Sequence, residues 1–230
     1  VLKGAQQWSP DIILLLEANG WWEEQMQPLK ATHPFTVLVP LENTYGMLLY
    51  SKVELQDAKV HYLIESDVPS IECRLLLSPG LEVHFFGLHP RPPAPSESVT
   101  STEKDRELLV VAERAKSLQK PVIVAGDLND VAWSYTTELF QKMSRLLDPR
   151  KGRGFFNTFP VKWPVLRFPL DHIFCSRHFK LQRLHRLKPV GSDHFPIFVE
   201  FQIHAEEVEL EKAPVPDEGD IAAVQEKFRD

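Results

Sequence analysis

The stretch PVIVAGDLND, residues 121–130, places an apolar run directly before a cluster of polar groups. Its first half reads as a buried β-strand. Its second half carries the Asp127 carboxylate and the Asn129 carboxamide, two residues apart. Because Asp, Asn and Gly are common turn residues, this stretch alone is most simply a strand that ends in a turn.

Four other predicted strands are flanked by residues of the same chemical kinds. Glu17 closes IILLL, His89 follows VHFFGL, Asp171 opens LDHIF, and the tripeptide Ser192-Asp193-His194 precedes FPIFVEF. Each of these residues alone is an ordinary loop or turn residue. Because open sheets place ligands at the ends of buried strands, the whole set predicts one functional site.

The remaining chain alternates short strands with a few helices. Strands are predicted at 11–19, 35–40, 45–52, 58–65, 70–77, 81–90, 121–126, 170–176, 180–187 and 196–203, with the first fully buried. Helices are predicted at 1–9, 20–31, 100–119 behind a Thr100/Glu103 capping box, and 134–147 with Ser134 as N-cap. The last residues, IAAVQEKF, predict one or two further helical turns. Many strands and few long helices favour two β-sheets packed face to face with helices outside.

Composition is that of an ordinary globular protein. The chain has 230 residues, of which 43% are hydrophobic and 25% charged, enough to bury a sizeable core. Cys73 and Cys175 lie outside any CxxC pattern and indicate neither a disulfide framework nor a zinc site. No apolar run approaches the roughly 18–20 residues that span a membrane. Because the chain opens at Val1, we expect a fragment or processed product, for which a missing targeting segment carries no weight.

Charge is distributed unevenly along the chain. Residues 145–188 contain eleven Lys and Arg against two Asp, whereas residues 200–230 contain ten acidic and three basic residues. A basic segment beside an active site suits an anionic substrate. The net charge of −6 argues against tight, sequence-independent binding to long duplex DNA, which needs many phosphate contacts.

The polar residues at the strand ends supply carboxylates, a carboxamide and two imidazoles. Carboxylates, together with water and a substrate phosphate, are the ligands that Mg²⁺ takes, whereas a Cys/His set would indicate zinc. An Asp beside a His can hold the ring in one tautomer and favour its charged form. These groups are suited to in-line attack of water on a phosphoryl centre.

Six segments carry a resemblance to the endonuclease/exonuclease/phosphatase superfamily, which includes deoxyribonucleases, abasic-site endonucleases and sphingomyelinases. They are LLLEAN, YGMLLYSK, GLHPRPP, VIVAGDLND, FPLDHIF and GSDHFP, in this order. The resemblance covers about residues 1–203, leaving 204–230 as an acidic C-terminal extension. It implies an α+β fold, a four-layer α/β/β/α sandwich of two mixed β-sheets flanked by helices. The sequences of these motifs are most similar to those of uncharacterised bacterial members, in which the domain often follows N-terminal membrane helices.

The resemblance also implies roles for individual residues. Glu17 is the principal metal ligand, with Asp193 near the metal. Asp127 orients or deprotonates the attacking water beside Asn129, which orients water or phosphate. His194 contacts the scissile phosphate and is hydrogen-bonded by Asp171, while His89 contacts phosphate or protonates the leaving group. The family's first strand, with an Asn that helps hold the metal, is expected upstream of Val1 or absent.

The implied activity is metal-dependent hydrolysis of a phosphodiester or phosphomonoester, with Mg²⁺ as cofactor and Mn²⁺ as the alternative. Nucleic acid, phospholipid and small-molecule substrates all stay open, and a membrane tether upstream of the chain is expected. Arg91, Arg153 and Arg167 are candidate phosphate contacts, and Trp133 is a candidate substrate contact that stacks a base or meets a lipid. The alternative is a catalytically silent phosphate-binding or scaffold module.

Overall fold

Short strands and a few helices succeed one another along the chain. The computed structural model describes residues 1–92, 102–163, 165–207 and 213–228. They belong to two compact units, Val1–His89 and Pro90–Asp230. The predicted capping residue Thr100 lies outside the described residues.

The first unit contains two groups of antiparallel strands. Its elements are α1 (Leu2–Trp8), β1 (Ile12–Leu16), α2 (Gly20–Gln25), a 3₁₀ turn (Gln27–Ala31), β2 (Phe35–Val39), β3 (Met47–Ser51), β4 (Glu54–His61), β5 (Ser70–Ser78) and β6 (Leu81–Leu88). Strand β3 lies between β1 and β2, and β5 pairs with both β4 and β6. The predicted hairpin at Ser78-Pro79-Gly80 is confirmed, with Gly80 in the left-handed conformation that its turn requires.

The prediction that the first strand is fully buried is wrong. Every residue of β1 is half-buried, whereas every residue of β3 is buried. The reason is their order in the three-stranded sheet, where β1 is an edge strand and β3 is central. Leu48 and Tyr50 of β3 pack with Ala18, Met26 and Leu29 in the core of this unit.

Two other elements of the first unit differ from prediction. The helix expected over 20–31 is an α-helix to Gln25 followed by a 3₁₀ turn, because Pro28 has no N–H for a helical hydrogen bond. The strand expected at 58–65 begins earlier, at Glu54, and ends at His61. Its limits follow the antiparallel register with β5, in which Glu54 faces Leu76 and His61 faces Ser70.

In its described residues, the second unit contains two antiparallel strand pairs and three helices. Its elements are α3 (Thr102–Leu118), β7 (Val122–Asp127), α4 (Tyr135–Ser144), β8 (Asp171–Cys175), β9 (Phe179–Arg186), β10 (Ile197–Ile203) and α5 (Glu218–Lys227). Strand β7 pairs with β8, and β9 pairs with β10. The predicted N-cap is confirmed, since Ser134 Oγ accepts a hydrogen bond from the Thr137 backbone at 3.0 Å.

The acidic C-terminal residues form a longer helix than the one or two turns expected. Helix α5 begins with a capping box in which Asp217 and Asp220 each accept a backbone N–H from the other. Asp220 also pairs with Lys142 of α4 at 2.9 Å, and Lys227 pairs with Asp105 of α3. These ion pairs attach α5 to the second unit, while the predicted domain limit near residue 203 stays a prediction.

Within the ranges described above, no helix has both the length and the apolar character needed to cross a membrane.

Candidate active site

Two carboxylates meet where β7 ends and β8 begins. Asp127, the last residue of β7, lies opposite Asp171, the first residue of β8. Because antiparallel neighbours run in opposite directions, the end of one strand faces the start of the other. This pairing brings together two predicted catalytic residues that are distant in sequence.

His194 forms a compact cluster with these two carboxylates. Its Nδ1 lies 2.8 Å from Asp171 Oδ2 and donates a hydrogen bond to it. Its Nε2 lies 3.6 Å from Asp127 Oδ2, within ion-pair distance. One potential ligand atom of each residue lies within 4.8 Å of the other two. We call Asp127, Asp171 and His194 the strand-end cluster.

The carboxylates of this cluster favour the protonated form of the imidazole ring. Burial of His194 opposes its charged form, but the hydrogen bond and charge of Asp171 outweigh burial. The charges of Asp127 and Asp193 act in the same direction, and the pKa of His194 is raised to about 9. The ring therefore carries a proton on both nitrogens at neutral pH, which makes it an N–H donor to anions.

Thr158 forms hydrogen bonds with both the Asp171 segment and the His194 segment of the strand-end cluster. Its Oγ1 accepts a hydrogen bond from the Asp171 backbone at 3.3 Å, and its carbonyl accepts one from the Phe195 backbone at 2.9 Å. The side chain of Thr158 is fully buried. The neighbouring Phe159 ring packs on His194 with a centroid distance of 4.8 Å. Sequence reasoning missed Thr158, because only its tertiary neighbours distinguish it from other loop threonines.

Asp127 and Asn129 form a tight turn after β7. Asp127 Oδ1 accepts the backbone N–H of Asn129 at 2.7 Å, which orients Oδ2 toward His194. The carboxamide nitrogen of Asn129 donates to the Pro90 carbonyl at 2.9 Å. Asn129 has a φ of +49°, a left-handed conformation that Asn tolerates better than most residues. The turn interpretation of this stretch is thus correct and is compatible with its predicted functional role.

Glu17 and His89, the predicted site residues of the first unit, lie near each other. Glu17 Oε1 is 3.9 Å from His89 Nε2, and the Glu17 side chain is 57% exposed while His89 is buried. Glu17 has a φ of +56°, an uncommon conformation for this residue type. Close backbone packing at Gly46 accompanies it, since a Cβ at Gly46 would lie 1.9 Å from the Ala18 carbonyl oxygen.

The other predicted site residues are exposed or half-buried, or contact their own loops. Asp193 is exposed and its carboxylate lies 3.5 Å from the Ser192 hydroxyl. Arg153 and Arg167 donate to carbonyls of their own loops, and Arg91 is half-buried. Trp133 is 52% exposed and packs edge-to-face with Phe155. The substrate contacts expected of these residues stay predictions.

A buried polar network behind the cluster was not predicted. Arg150 Nη2 donates to Asp148 at 2.8 Å and to His172 Nδ1 at 2.7 Å. His172 Nε2 then donates to the Asp130 carbonyl at 2.9 Å, and Lys104 pairs with the Asp130 carboxylate at 2.8 Å. The sequence signal for this network is His172 itself, a polar residue within the apolar strand that directly follows Asp171. We call Asp148, Arg150 and His172 the arginine network.

The donor chemistry of the predicted metal ligands fits a hard divalent cation. Glu17 and Asp193 each offer carboxylate oxygens, which Mg²⁺ and Mn²⁺ prefer over nitrogen or sulfur. The carboxylates of the strand-end cluster are of the same chemical kind. The residues present are therefore compatible with the divalent metal on which this kind of chemistry depends.

Comparison with known proteins identifies the family of the chain. The sequence profile of the Endonuclease/Exonuclease/phosphatase family matches residues 2–194, which is most of the chain. No curated protein sequence matches the chain.

Solved structures with the same fold include three from different organisms. TDP2 of D. rerio, in complex with a single-strand DNA product, has a TM-score of 0.71 at 16% identity, over 87% of this chain and 89% of that one. The human Nocturnin catalytic domain with bound sulfate has a TM-score of 0.69 at 18% identity, over 88% and 84%. A mannosyl-6-phosphatase of Bacteroides thetaiotaomicron has a TM-score of 0.66 at 18% identity, over 87% and 88%.

The structural likeness confirms the predicted fold class, an α+β protein with several β-sheets flanked by helices. The family match covers every predicted catalytic and metal-binding position from Glu17 to His194. The chain belongs to the endonuclease/exonuclease/phosphatase family of metal-dependent hydrolases that act on phosphoester bonds.

Proposed function

We propose that this protein hydrolyses a phosphodiester or phosphomonoester by in-line attack of water, with Mg²⁺ as the preferred metal and Mn²⁺ as its substitute. The observation that carries the proposal is the strand-end cluster, in which His194 lies 2.8 Å from Asp171 and 3.6 Å from Asp127. A cationic N–H donor next to a carboxylate base suits a reaction that needs both proton removal and stabilisation of phosphoryl charge.

Asp127 is the proposed base for the attacking water. Its Oδ1 accepts from the Asn129 backbone, and this hydrogen bond directs Oδ2 into the cluster. Asn129 contributes its carboxamide oxygen to orient the water, because its carboxamide nitrogen already donates to the Pro90 carbonyl. The water then loses its proton to Asp127 as its oxygen attacks phosphorus and the ester oxygen leaves.

His194 is the proposed donor to a phosphoryl oxygen. Asp171 accepts from Nδ1, which turns Nε2–H away from Asp171 and toward the side of Asp127. A proton held at Nε2 stabilises negative charge that develops on the phosphoryl oxygens. Asp171 therefore acts through His194 as a positioning residue.

The proposed metal roles follow from the family resemblance and from donor chemistry. Glu17 and Asp193 keep their predicted roles as ligands, and His89 its role as a phosphate contact or leaving-group acid. When bound, the metal would polarise the phosphoryl group and stabilise the departing oxygen. The expected membrane tether upstream of Val1 also stays a prediction.

The substrate class is proposed at the level of a phosphate ester of a nucleic acid, a phospholipid or a small molecule. Neighbours of the same fold include a protein in complex with single-strand DNA and a mannosyl-6-phosphatase. Identities of 16% and 18% to these two proteins give no preference between a diester and a monoester. A panel of single-stranded and abasic DNA, sphingomyelin and inositol phosphates would identify the class.

The proposal is tested with bis(p-nitrophenyl) phosphate and the Asp127→Asn variant in the presence of Mg²⁺. Since proton-transfer groups contribute about 10²- to 10⁴-fold, we expect this variant to lose at least about 100-fold in kcat. Asp11→Asn, which alters a carboxylate whose side chain is 77% exposed, is the matched control and should keep wild-type turnover.

Two outcomes would contradict the proposal. Turnover that persists in excess EDTA would exclude the divalent metal, and near-wild-type turnover of Asp127→Asn would exclude its role as the base. Binding of inorganic phosphate without turnover of any ester in the panel would instead support the silent phosphate-binding module.

A further inference from the structure

A short loop of the second unit is closed at its base and attached to the His194 segment. Phe159 and Phe168 exchange backbone hydrogen bonds and so close the base of a loop, whose described residues are 160–163 and 165–167. The Val161 backbone donates to the Asp193 carbonyl at 2.8 Å. This hydrogen bond fixes the start of the loop beside the strand-end cluster.

Arg167, at the end of this loop, donates hydrogen bonds to carbonyls at its start. It donates to the Pro160 carbonyl at 3.3 Å and to the Val161 carbonyl at 2.9 Å. Its guanidinium also lies 4.8 Å from the centre of the Phe195 ring, a cation–π distance. The base is thus held by several polar contacts and is adjacent to the predicted catalytic residues.

The far end of the loop is apolar and exposed. Trp163 is 67% exposed, Val165 90% and Leu166 65%. Among the large apolar side chains of the described residues, Val165 has the greatest exposed fraction. Three exposed large apolar side chains within four positions are a denser grouping than the single exposed apolar residues that are normal on protein surfaces, and such a grouping is typical of an interaction site. We call these three residues the apolar tip.

Basic residues lie beside the apolar tip and near the base of its loop. Residues 149–170 contain no Asp or Glu, and Lys162 is exposed directly beside Trp163. Arg186 adds further charge near the loop base, since its guanidinium lies 4.4 Å from the centre of the same Phe195 ring that Arg167 contacts. An apolar tip with a basic rim matches a surface whose interior is hydrocarbon and whose outer layer is anionic.

We propose that the apolar tip docks on a lipid bilayer that contains anionic lipids. Trp163 lies at the level of the headgroups, where Trp is favoured, while Val165 and Leu166 enter the acyl region. Lys162 and the neighbouring basic residues contact the anionic headgroups. Docking in this way holds the strand-end cluster at the membrane surface. The proposal concerns binding and does not depend on the reaction proposed above.

The chemistry of the tip favours a bilayer over a single-stranded nucleic acid. Bases stack on aromatic rings, and the tip offers one such ring, that of Trp163. Its two other side chains are aliphatic and branched, so they add apolar area without a stacking surface.

The test is co-sedimentation of the metal-free full chain with vesicles of phosphatidylcholine and phosphatidylserine. We expect the Val165→Ser/Leu166→Ser double variant to partition about tenfold or more less strongly, because two aliphatic side chains no longer enter the bilayer. Val215→Ser is the matched control, since Val215 is 63% exposed in the same unit, and should bind like wild type. Vesicles of phosphatidylcholine alone should bind wild type more weakly.

A second readout locates the tip in the bilayer. Wild-type Trp emission should shift to the blue on vesicle binding, and Trp163→Phe should lose that shift. Absence of wild-type binding, or equal binding by the double variant, would overturn the proposal. So would binding of single-stranded DNA in place of vesicles with loss of that binding in Trp163→Phe.

Turnover separates this proposal from the proposed function. The double variant should hydrolyse water-soluble bis(p-nitrophenyl) phosphate at the wild-type rate, because neither Val165 nor Leu166 belongs to the strand-end cluster. Vesicle binding without any turnover would leave the docking inference standing and remove the catalytic one. Turnover without vesicle binding would do the reverse.

Discussion

Two histidines near the start of β8, His172 within the strand and His194 in contact with Asp171, have opposite electrostatic surroundings. His194 faces the carboxylates of Asp171 and Asp127, which raise its pKa to about 9 against the effect of burial. His172 is fully buried, and burial together with the Arg150 guanidinium lowers its pKa to about 4. At neutral pH one ring is therefore a cation and the other is neutral.

The difference arises from the alternation of side chains along one strand. Asp171 and His172 are adjacent in β8, and successive side chains of a strand point to opposite faces of the sheet. Asp171 contacts His194 on one face, while His172 meets Arg150 on the other. Because Arg can only donate, His172 accepts at Nδ1 and donates from Nε2 to the Asp130 carbonyl. One face thus carries a charged ring of the candidate active site, and the other carries a neutral ring within a buried polar network.

The largest expected effect is a loss of turnover when His194 is replaced. His194→Gln should lower kcat on bis(p-nitrophenyl) phosphate by about 10²- to 10⁴-fold, because the ring is the proposed donor to the phosphoryl oxygen. Steady-state kinetics with Mg²⁺ measures this loss. His185→Gln, which changes an exposed histidine of β9, should keep wild-type kcat. A loss of kcat of less than tenfold in His194→Gln would contradict a catalytic role for His194.

Disruption of the arginine network should lower the unfolding free energy of the protein. Arg150→Ala leaves the buried Asp148 carboxylate without its partner, and breaking a buried ion pair in this way costs about 3–5 kcal/mol. Urea unfolding monitored by circular dichroism would measure this change. Arg153→Ala removes an exposed arginine nearby and should have little effect on the unfolding free energy. Equal stability of both variants would show that the network is not a support.

The buried neutral His172 predicts a pH dependence of stability. Its pKa is about 4 in the folded protein and 6.5 in the unfolded chain, so between these values the unfolded chain binds the extra proton. Stability should therefore fall as pH falls from about 6.5 to 4, by up to about 3 kcal/mol from this residue. His172→Gln removes the titrating group but retains a donor for the Asp130 carbonyl.

The measurement compares urea unfolding of wild type and His172→Gln at several pH values between 4 and 7. The difference between their unfolding free energies should change with pH only inside the window from about 4 to 6.5. A constant difference across this range would mean that His172 is not held neutral by burial and Arg150.

The smallest expected effect concerns the Lys104–Asp130 ion pair, which adjoins the arginine network through the Asp130 carbonyl. Lys104 is buried and pairs with Asp130, whose side chain is 16% exposed. Because water still reaches this carboxylate after the lysine is removed, Lys104→Met should lower the unfolding free energy by only about 1–2 kcal/mol, less than Arg150→Ala. Turnover should stay at the wild-type level. A large loss of turnover in this variant would instead connect the Asp130 turn to catalysis.

Sequence patterns predicted most elements of the fold but not their surroundings. The apolar runs around β3, β5 and β7 are strands, and Ser134 is an N-cap as expected. The burial of β1 was overestimated, because an apolar run does not reveal whether a strand is central or at a sheet edge. The limits of β4 were misplaced because its pairing with β5 decides where it begins.

The chemical identity of the site was accessible from the sequence alone. Carboxylates, a carboxamide and imidazoles at the ends of apolar runs, with the order of the family motifs, indicated phosphoester chemistry with a hard metal. Residue type and local spacing suffice for this, since each strand end is recognised from a few consecutive residues.

Only the tertiary structure decided how these groups interact. The antiparallel register sets Asp127 beside Asp171, and the loop of His194 brings its ring to within 2.8 Å of Asp171. The same fold buries His172 against Arg150, so that adjacent positions of one strand lead to a charged ring and a neutral one. Protonation depends on charges and burial within a few ångströms, and those distances are set by chain segments far apart in sequence.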